Sequence, residues 1–200
     1  MAERTVRTFS GPDYCDRCSL VSSEHQPTQF PGTAKRGNRD PWVLFILPCP
    51  TAPDIALRRS GVGPRFQMLA LAWKRAEEIC AIQARYEITY AIQCGVPGLD
   101  MTSLPESCHW ECRKNVVNVV QDIKPKRVAL VGSAANSVLK KQFPTASKVL
   151  DLDYVMDRGG VESPEFRTLI VSIRWMLMDI GKKFAPSVQR PQDLRRFEEG

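Results

Sequence analysis

The stretch Trp42-Val-Leu-Phe-Ile-Leu47, closed by Pro48 and Pro50, decides how the rest of the chain is read. A continuous apolar run of this length, stopped by prolines, suits a strand buried on both faces of a parallel sheet. A prolyl loop, Pro48–Ser60, follows at its carboxyl end. Beyond it, Phe66, Leu69, Ala70, Trp73, Ala76, Ile79 and Cys80 recur at helical spacing and predict a helix from Arg65 to Gln83. Tyr86–Ile92 predicts a short strand, Leu104–Asp122 a second helix ended by Lys124-Pro125, and Arg127–Val131 another strand. Gly132-Ser133 opens a helix running to about Lys141. Asp151–Gly160 reads as a polar loop, Phe166–Val171 as a strand, and Trp175–Lys183 as a helix. This alternation predicts an α/β chain, a three-layer α/β/α sandwich around a central, mainly parallel sheet. Ligands of such folds sit at the carboxyl ends of the strands. Here those ends are the loops Pro48–Ser60, Gln93–Met101, Gly132–Ala135 and Ser172–Arg174.

With 200 residues, 43% hydrophobic and 25% charged, the chain fits a single domain over residues 1–185. Residues 1–40 read as loop-rich, and 186–200 as a charged tail. Its longest apolar runs fall short of the roughly 20 residues of a membrane helix, and Met1–Ser10 is polar, so a cytoplasmic location, bacterial or in a virus-infected host, is expected. A formal charge of +6 favours contact with polyanions, although a basic surface spread along the chain accounts for it equally well. Seven cysteines, an odd number, exclude a framework in which every one forms an intramolecular disulfide, and point to metal ligands among them. Cys15-Asp-Arg-Cys18 is a pair whose spacing lets two thiolates reach one metal centre. Cys94, at a strand end, and Cys112, in the next helix, are the natural further ligands, whereas Cys80 on an apolar helix face reads as core.

This arrangement resembles the iron–sulfur uracil-DNA glycosylases, families 4 and 5. Tyr86-Glu-Ile-Thr-Tyr-Ala-Ile-Gln-Cys94 is similar to the strand that ends in that family's third cluster ligand. Glu111-Cys112, then Val119-Val-Gln-Asp-Ile-Lys-Pro125 and Lys126-Arg-Val-Ala-Leu-Val-Gly132-Ser-Ala-Ala135, resembles its fourth ligand, helix, proline break and glycine-ended strand. The resemblance spans roughly residues 13 to 180. It implies a uracil-DNA glycosylase-like fold with a structural [4Fe–4S] cluster on Cys15, Cys18, Cys94 and Cys112, tying the N-terminal segment to the sheet. Zinc is the alternative occupant, and Cys108 the rival of Cys112.

The family's catalytic pattern does not carry over. Pro48 stands where its water-activating acid belongs, and proline neither ionises nor donates a backbone hydrogen bond. Gly61 stands at its stacking aromatic, which leaves Phe66 or Trp42 as substitutes. Thr89-Tyr90-Ala91 occupies the stretch of its base-reading Asn, and Ser172-Ile173-Arg174 that of its His-Pro motif. The remaining candidates for catalysis are Asp54 as a base, Cys49 as a nucleophile if a cation such as Arg58, Arg59 or Arg174 lowers its pKa, and Arg174 as the cation facing a departing base. Each has a bland counterpart: a solubilising loop acid, a small buried residue between prolines, and a surface arginine. Phe66, Tyr90, Ser133, Arg158 and Gly159 are the candidates for contact with a base or with DNA; the last two match the Arg-Gly that ends the family's DNA-facing loop. His25 and His109 receive no role.

The resemblance therefore implies a DNA-binding, nucleobase-directed protein acting on a modified or flipped pyrimidine, its partner being DNA that is single-stranded or carries a flipped nucleotide. As an enzyme it would be an altered-specificity glycosylase of DNA repair, a hydrolase, or a transferase in DNA base hypermodification, and not an ordinary uracil glycosylase. The alternatives are a catalytically inactive member that binds DNA or a protein partner, and an interaction module unrelated to glycosylases.

Overall fold

The computed structural model describes residues 28–29, 41–57, 60–95 and 104–184. Cys15, Cys18, Arg58, Arg59 and the tail at 186–200 lie outside them. The central strand is β2 (Val43–Leu47; β1 is introduced below), and all five of its residues are buried. It pairs in parallel with β3 (Tyr86–Tyr90) on one side and β5 (Arg127–Val131) on the other, and β5 pairs in parallel with β6 (Ser147–Val149). The order β3-β2-β5-β6 makes a four-stranded, all-parallel sheet.

Helices cover both faces of this sheet. Side chains alternate along β2, so Val43, Phe45 and Leu47 enter one core and Leu44 and Ile46 the other. The first core is closed by α2 (Pro64–Cys80), α5 (Leu152–Asp157) and α6 (Pro164–Phe184) through Leu69, Trp73, Leu152, Leu169, Ile173 and Leu177. The second is closed by α3 (Glu106–Ile123) and α4 (Gly132–Leu139) through Cys112, Val116, Ala135 and Leu139. Phe45 meets the Trp73 ring edge-on at a centroid distance of 5.8 Å, locking β2 to α2.

Three short elements complete the chain. β1 (Thr28–Gln29) pairs antiparallel with β4 (Cys94–Gly95), so the backbone at Gln29 lies beside Cys94. A short helix, α1 (Ala52–Leu57), fills part of the loop after β2.

Two expectations are corrected. Phe166–Val171 is not a strand: it lies in the first half of α6, which starts at Pro164. The buried residues Phe166, Leu169, Ile173, Met176, Leu177 and Ile180 repeat at helical spacing over the whole segment, which a six-residue window conceals. The start was also signalled. The Ser163 hydroxyl accepts the Phe166 N–H at 3.1 Å, and Pro164 occupies the first helical position. Asp151–Gly160 is likewise not all loop, because the Asp151 carboxylate accepts the Asp153 N–H at 2.9 Å and caps α5.

Phe45 is fully buried between α2 and the sheet. Phe45→Ala should therefore cost about 3–5 kcal/mol, read as a lowered urea midpoint with an unchanged slope.

Candidate functional site

In the order β3-β2-β5-β6 the chain leaves β2 toward one side and later crosses to the other, so the crevice outside the ends of β2 and β5 is the topological switch point. The loops Pro48–Thr51, Ala91–Gln93 and Leu150–Asp151, and the first turn of α4 at Gly132–Ser133, follow the strands at this edge. Leu47 and Pro48 carbonyls accept the N–H groups of Ala91 (2.7 Å) and Ile92 (3.0 Å), extending the register of β2 and β3 past the strands.

Asp54 is the buried hub of this edge, 2% exposed. Its Oδ2 accepts the Thr51 N–H (2.9 Å), the Thr51 hydroxyl (2.8 Å) and the Tyr90 hydroxyl (3.1 Å), and its Oδ1 accepts the Val62 N–H (2.9 Å). Tyr90, fully buried at the end of β3, also accepts the Gly61 N–H at 3.1 Å. One carboxylate thus ties both ends of the loop at 51–62 to β3. Burial raises the Tyr90 pKa above the ordinary value of 10.0, the Gly61 hydrogen bond opposes the shift, and the nearby Asp54 and Cys49 add to it. Committed in this way, Asp54 and Tyr90 build the wall of the site. Three of the four donors converge on Asp54 Oδ2, and Oδ1, with the Val62 N–H alone, keeps one acceptor position.

A second set of charges lies beside the first. Both Arg65 Nε and Nη2 donate to the Asp153 carboxylate, joining the start of α2 to α5. Burial works to lower the Arg65 pKa, but the Asp153 hydrogen bond and the charges of Asp153, Cys49 and Asp151 outweigh it, and the net shift is upward. Cys49, half-buried, therefore sits within electrostatic reach of a cation that the sequence reading did not name. Gly132, with φ +78°, opens α4; a Cβ there would stand 2.5 Å from Asp151 Oδ2, so the turn admits glycine alone.

The structure brings Asp54, Cys49 and Tyr90 to one edge, with Ser133 exposed in the first turn of α4 at the end of β5. It does not bring Arg174 to a strand end. That residue is exposed within α6, where its carbonyl lies 3.9 Å from the Cys80 sulfur. Phe66 packs on the core beside Tyr86, with ring centroids 6.3 Å apart, so one of its faces is already in use. Arg158 ends α5 with its guanidinium over the Tyr154 ring at 5.2 Å, and Gly159 (φ +109°) follows in open space. Arg65 and its tie to Asp153 escaped the sequence reading because they join residues 88 positions apart.

Cys94 and Cys112 are buried in the same apolar cluster; Cys108 is also buried but is not part of it. No group of three or more metal-ligating side chains converges among the described residues, which exclude Cys15 and Cys18. A groove of about 460 Å³ lined by Trp42, Glu77, Gln83, Ala84 and Arg85 opens at the opposite, amino edge of the sheet. There Glu77 Oε1 accepts the Ala84 N–H at 2.7 Å and Lys126 lies 4.5 Å from the Trp42 ring centre, so its polar groups already serve the turn into β3 and the start of β2. No family model and no curated protein matches this chain.

Two outcomes follow from the hub. Asp54→Ala strips a partner from the Thr51, Val62 and Tyr90 donors and should lower stability by at least about 3 kcal/mol in urea titration, whereas Tyr90→Phe, which leaves Asp54 its other donors, should cost about 1.5–3 kcal/mol. In the unfolded chain Tyr90 ionises at its ordinary value of 10.0, while in the folded protein it holds its proton to higher pH. Its contribution is therefore complete below about pH 10 and is lost as pH rises beyond it. Tyr86, pushed up to about 12 by burial and by Glu77 and Glu87, acts in the same sense. Stability measured across this window should fall, and Tyr90→Phe should flatten the fall.

Proposed function

We propose that this chain is a divergent, uracil-DNA glycosylase-like protein with a three-layer α/β/α fold, binding DNA and receiving a modified or flipped pyrimidine at the ends of β2 and β5. The observation that carries this reading is the burial of Cys94 and Cys112, from separate elements, in one cluster. The pairing of β1 with β4 supports it, because it brings the chain that follows Cys15 and Cys18 alongside Cys94. Thr28 follows Cys18 by only ten positions, a reach of at most about 35 Å.

Two thiols shielded from water fit half of a four-cysteine site. Cys15, Cys18, Cys94 and Cys112 would hold the [4Fe–4S] cluster, or zinc in its place. Held by these residues, the group would tie the N-terminal segment to the sheet and so supply folding energy. Cys49, half-buried just past the end of β2, is the candidate for covalent chemistry, and Arg65, itself bound to Asp153, is a cation within its electrostatic reach. Asp54 carries the opposite weight. Its four accepted hydrogen bonds favour a second reading, a catalytically inactive member that keeps the fold and binds DNA or a protein partner.

Protein purified without oxygen should be brown and contain iron and acid-labile sulfide. Cys94→Ser and Cys112→Ser should lose both, whereas Cys49→Ser and Cys108→Ser should retain them. A colourless protein that binds zinc at the same cysteines would replace the cluster by zinc, and retention of metal by Cys112→Ser would overturn the ligand set. Incubation with DNA containing uracil or 5-substituted pyrimidines separates the functional readings. Free base or a base adduct, abolished by Cys49→Ala, marks an enzyme; retention of DNA with neither product marks the binding module.

A further inference from the structure

The face that α6 turns to solvent is the strongest feature outside the strand-end site. Arg167, Val171, Arg174, Trp175, Met178 and Lys182 fall, at about 100° per residue, within an arc of about 100°. Together they form one stripe about 22 Å long. Trp175 is 63% exposed and Val171 45%, the three cations are exposed, and Met178 is half-buried. The acids of the helix, Glu165 and Asp179, lie outside the arc, and Asp179 is bound to Arg127. Among the described residues none of the three cations is in an ion pair. A single exposed tryptophan needs no explanation. A tryptophan set midway along a wholly positive stripe does.

The charge selects the occupant. A second copy of this basic chain would bring like charges together, and two separated apolar side chains fall well short of the roughly 1,000 Å² that stable protein docking buries. A polyanion with flat apolar groups between its charges satisfies both features at once. We propose that the solvent face of α6 binds a single strand of nucleic acid, with Trp175 stacking on a base and Arg167, Arg174 and Lys182 holding phosphates on either side. The stripe is long enough for several nucleotides of a single strand. This gives Arg174 a phosphate contact on a helix face in place of a role at a strand end. The proposal stands on α6 alone and does not require the strand-end reading to be correct.

The test is fluorescence anisotropy of the full chain with a labelled oligothymidylate of about ten nucleotides. Trp175→Ala should weaken binding about ten-fold while Trp175→Phe keeps most of it. Arg167→Ala and Arg174→Ala should each reduce the slope of log affinity against log salt by about 0.7. Melting temperatures should stay unchanged, because these side chains are exposed. Failure of the unaltered chain to bind overturns the proposal. So does equal binding by Trp175→Ala and the Arg167→Ala/Arg174→Ala double variant, which would move the strand to the sheet edge and leave the strand-end reading standing. Polyglutamate and anionic phospholipid vesicles serve as counter-probes, and Trp175-dependent binding of either at comparable strength would also overturn it.

Discussion

Burying β2 on both faces obliges its backbone to find partners in neighbouring strands and its side chains to divide between two cores. The rest of the architecture follows from that demand. Parallel neighbours require crossover segments, the crossovers here are helices, and the change of direction between β3 and β5 leaves a crevice at the carboxyl end of β2. The chemistry-bearing residues of that edge occupy fixed places because the strand beneath them has no freedom to slide: a shift of one residue would send Phe45 to the wrong core.

Within the crevice, Asp54 has a structural task whatever its chemistry. From α1 its carboxylate accepts the Thr51 and Val62 N–H groups and the Thr51 and Tyr90 hydroxyls, so it fixes the path of residues 51–62 against β3. The resulting edge is well organised and has a charged rim, Arg65 with Asp151 and Asp153, built from helix starts on different parts of the chain.

Much of this was legible in the amino-acid sequence, and what was not has physical causes. β2 and Val128–Val131 of β5 stand out as unbroken apolar runs, and β3, Tyr86-Glu-Ile-Thr-Tyr90, by its aromatic and β-branched residues. α2 and α3 stand out because their buried faces repeat over many turns. β6 is too short to carry a pattern, and Lys148 in its middle is exposed. The first half of α6 imitates a strand because Ile170 and Val171 favour either state, and only the spacing of Phe166, Leu169 and Ile173 distinguishes them. At the site, Cys49, Asp54 and Tyr90 could be named from local context. Their relationships could not, since Asp54 finds Tyr90 across 36 residues and Arg65 finds Asp153 across 88.

The place of α6 in the order of elements also bears on how the molecule comes into being. This helix supplies Phe166, Leu169, Ile173, Met176, Leu177 and Ile180 to the core beneath α2. Until it leaves the ribosome, that side of the sheet is covered by α2 and α5 alone, whereas α3 and α4 can already close the other. Translation thus passes through a partly clad intermediate, and its incomplete core stays open to chaperones and to aggregation until residues 164–184 emerge.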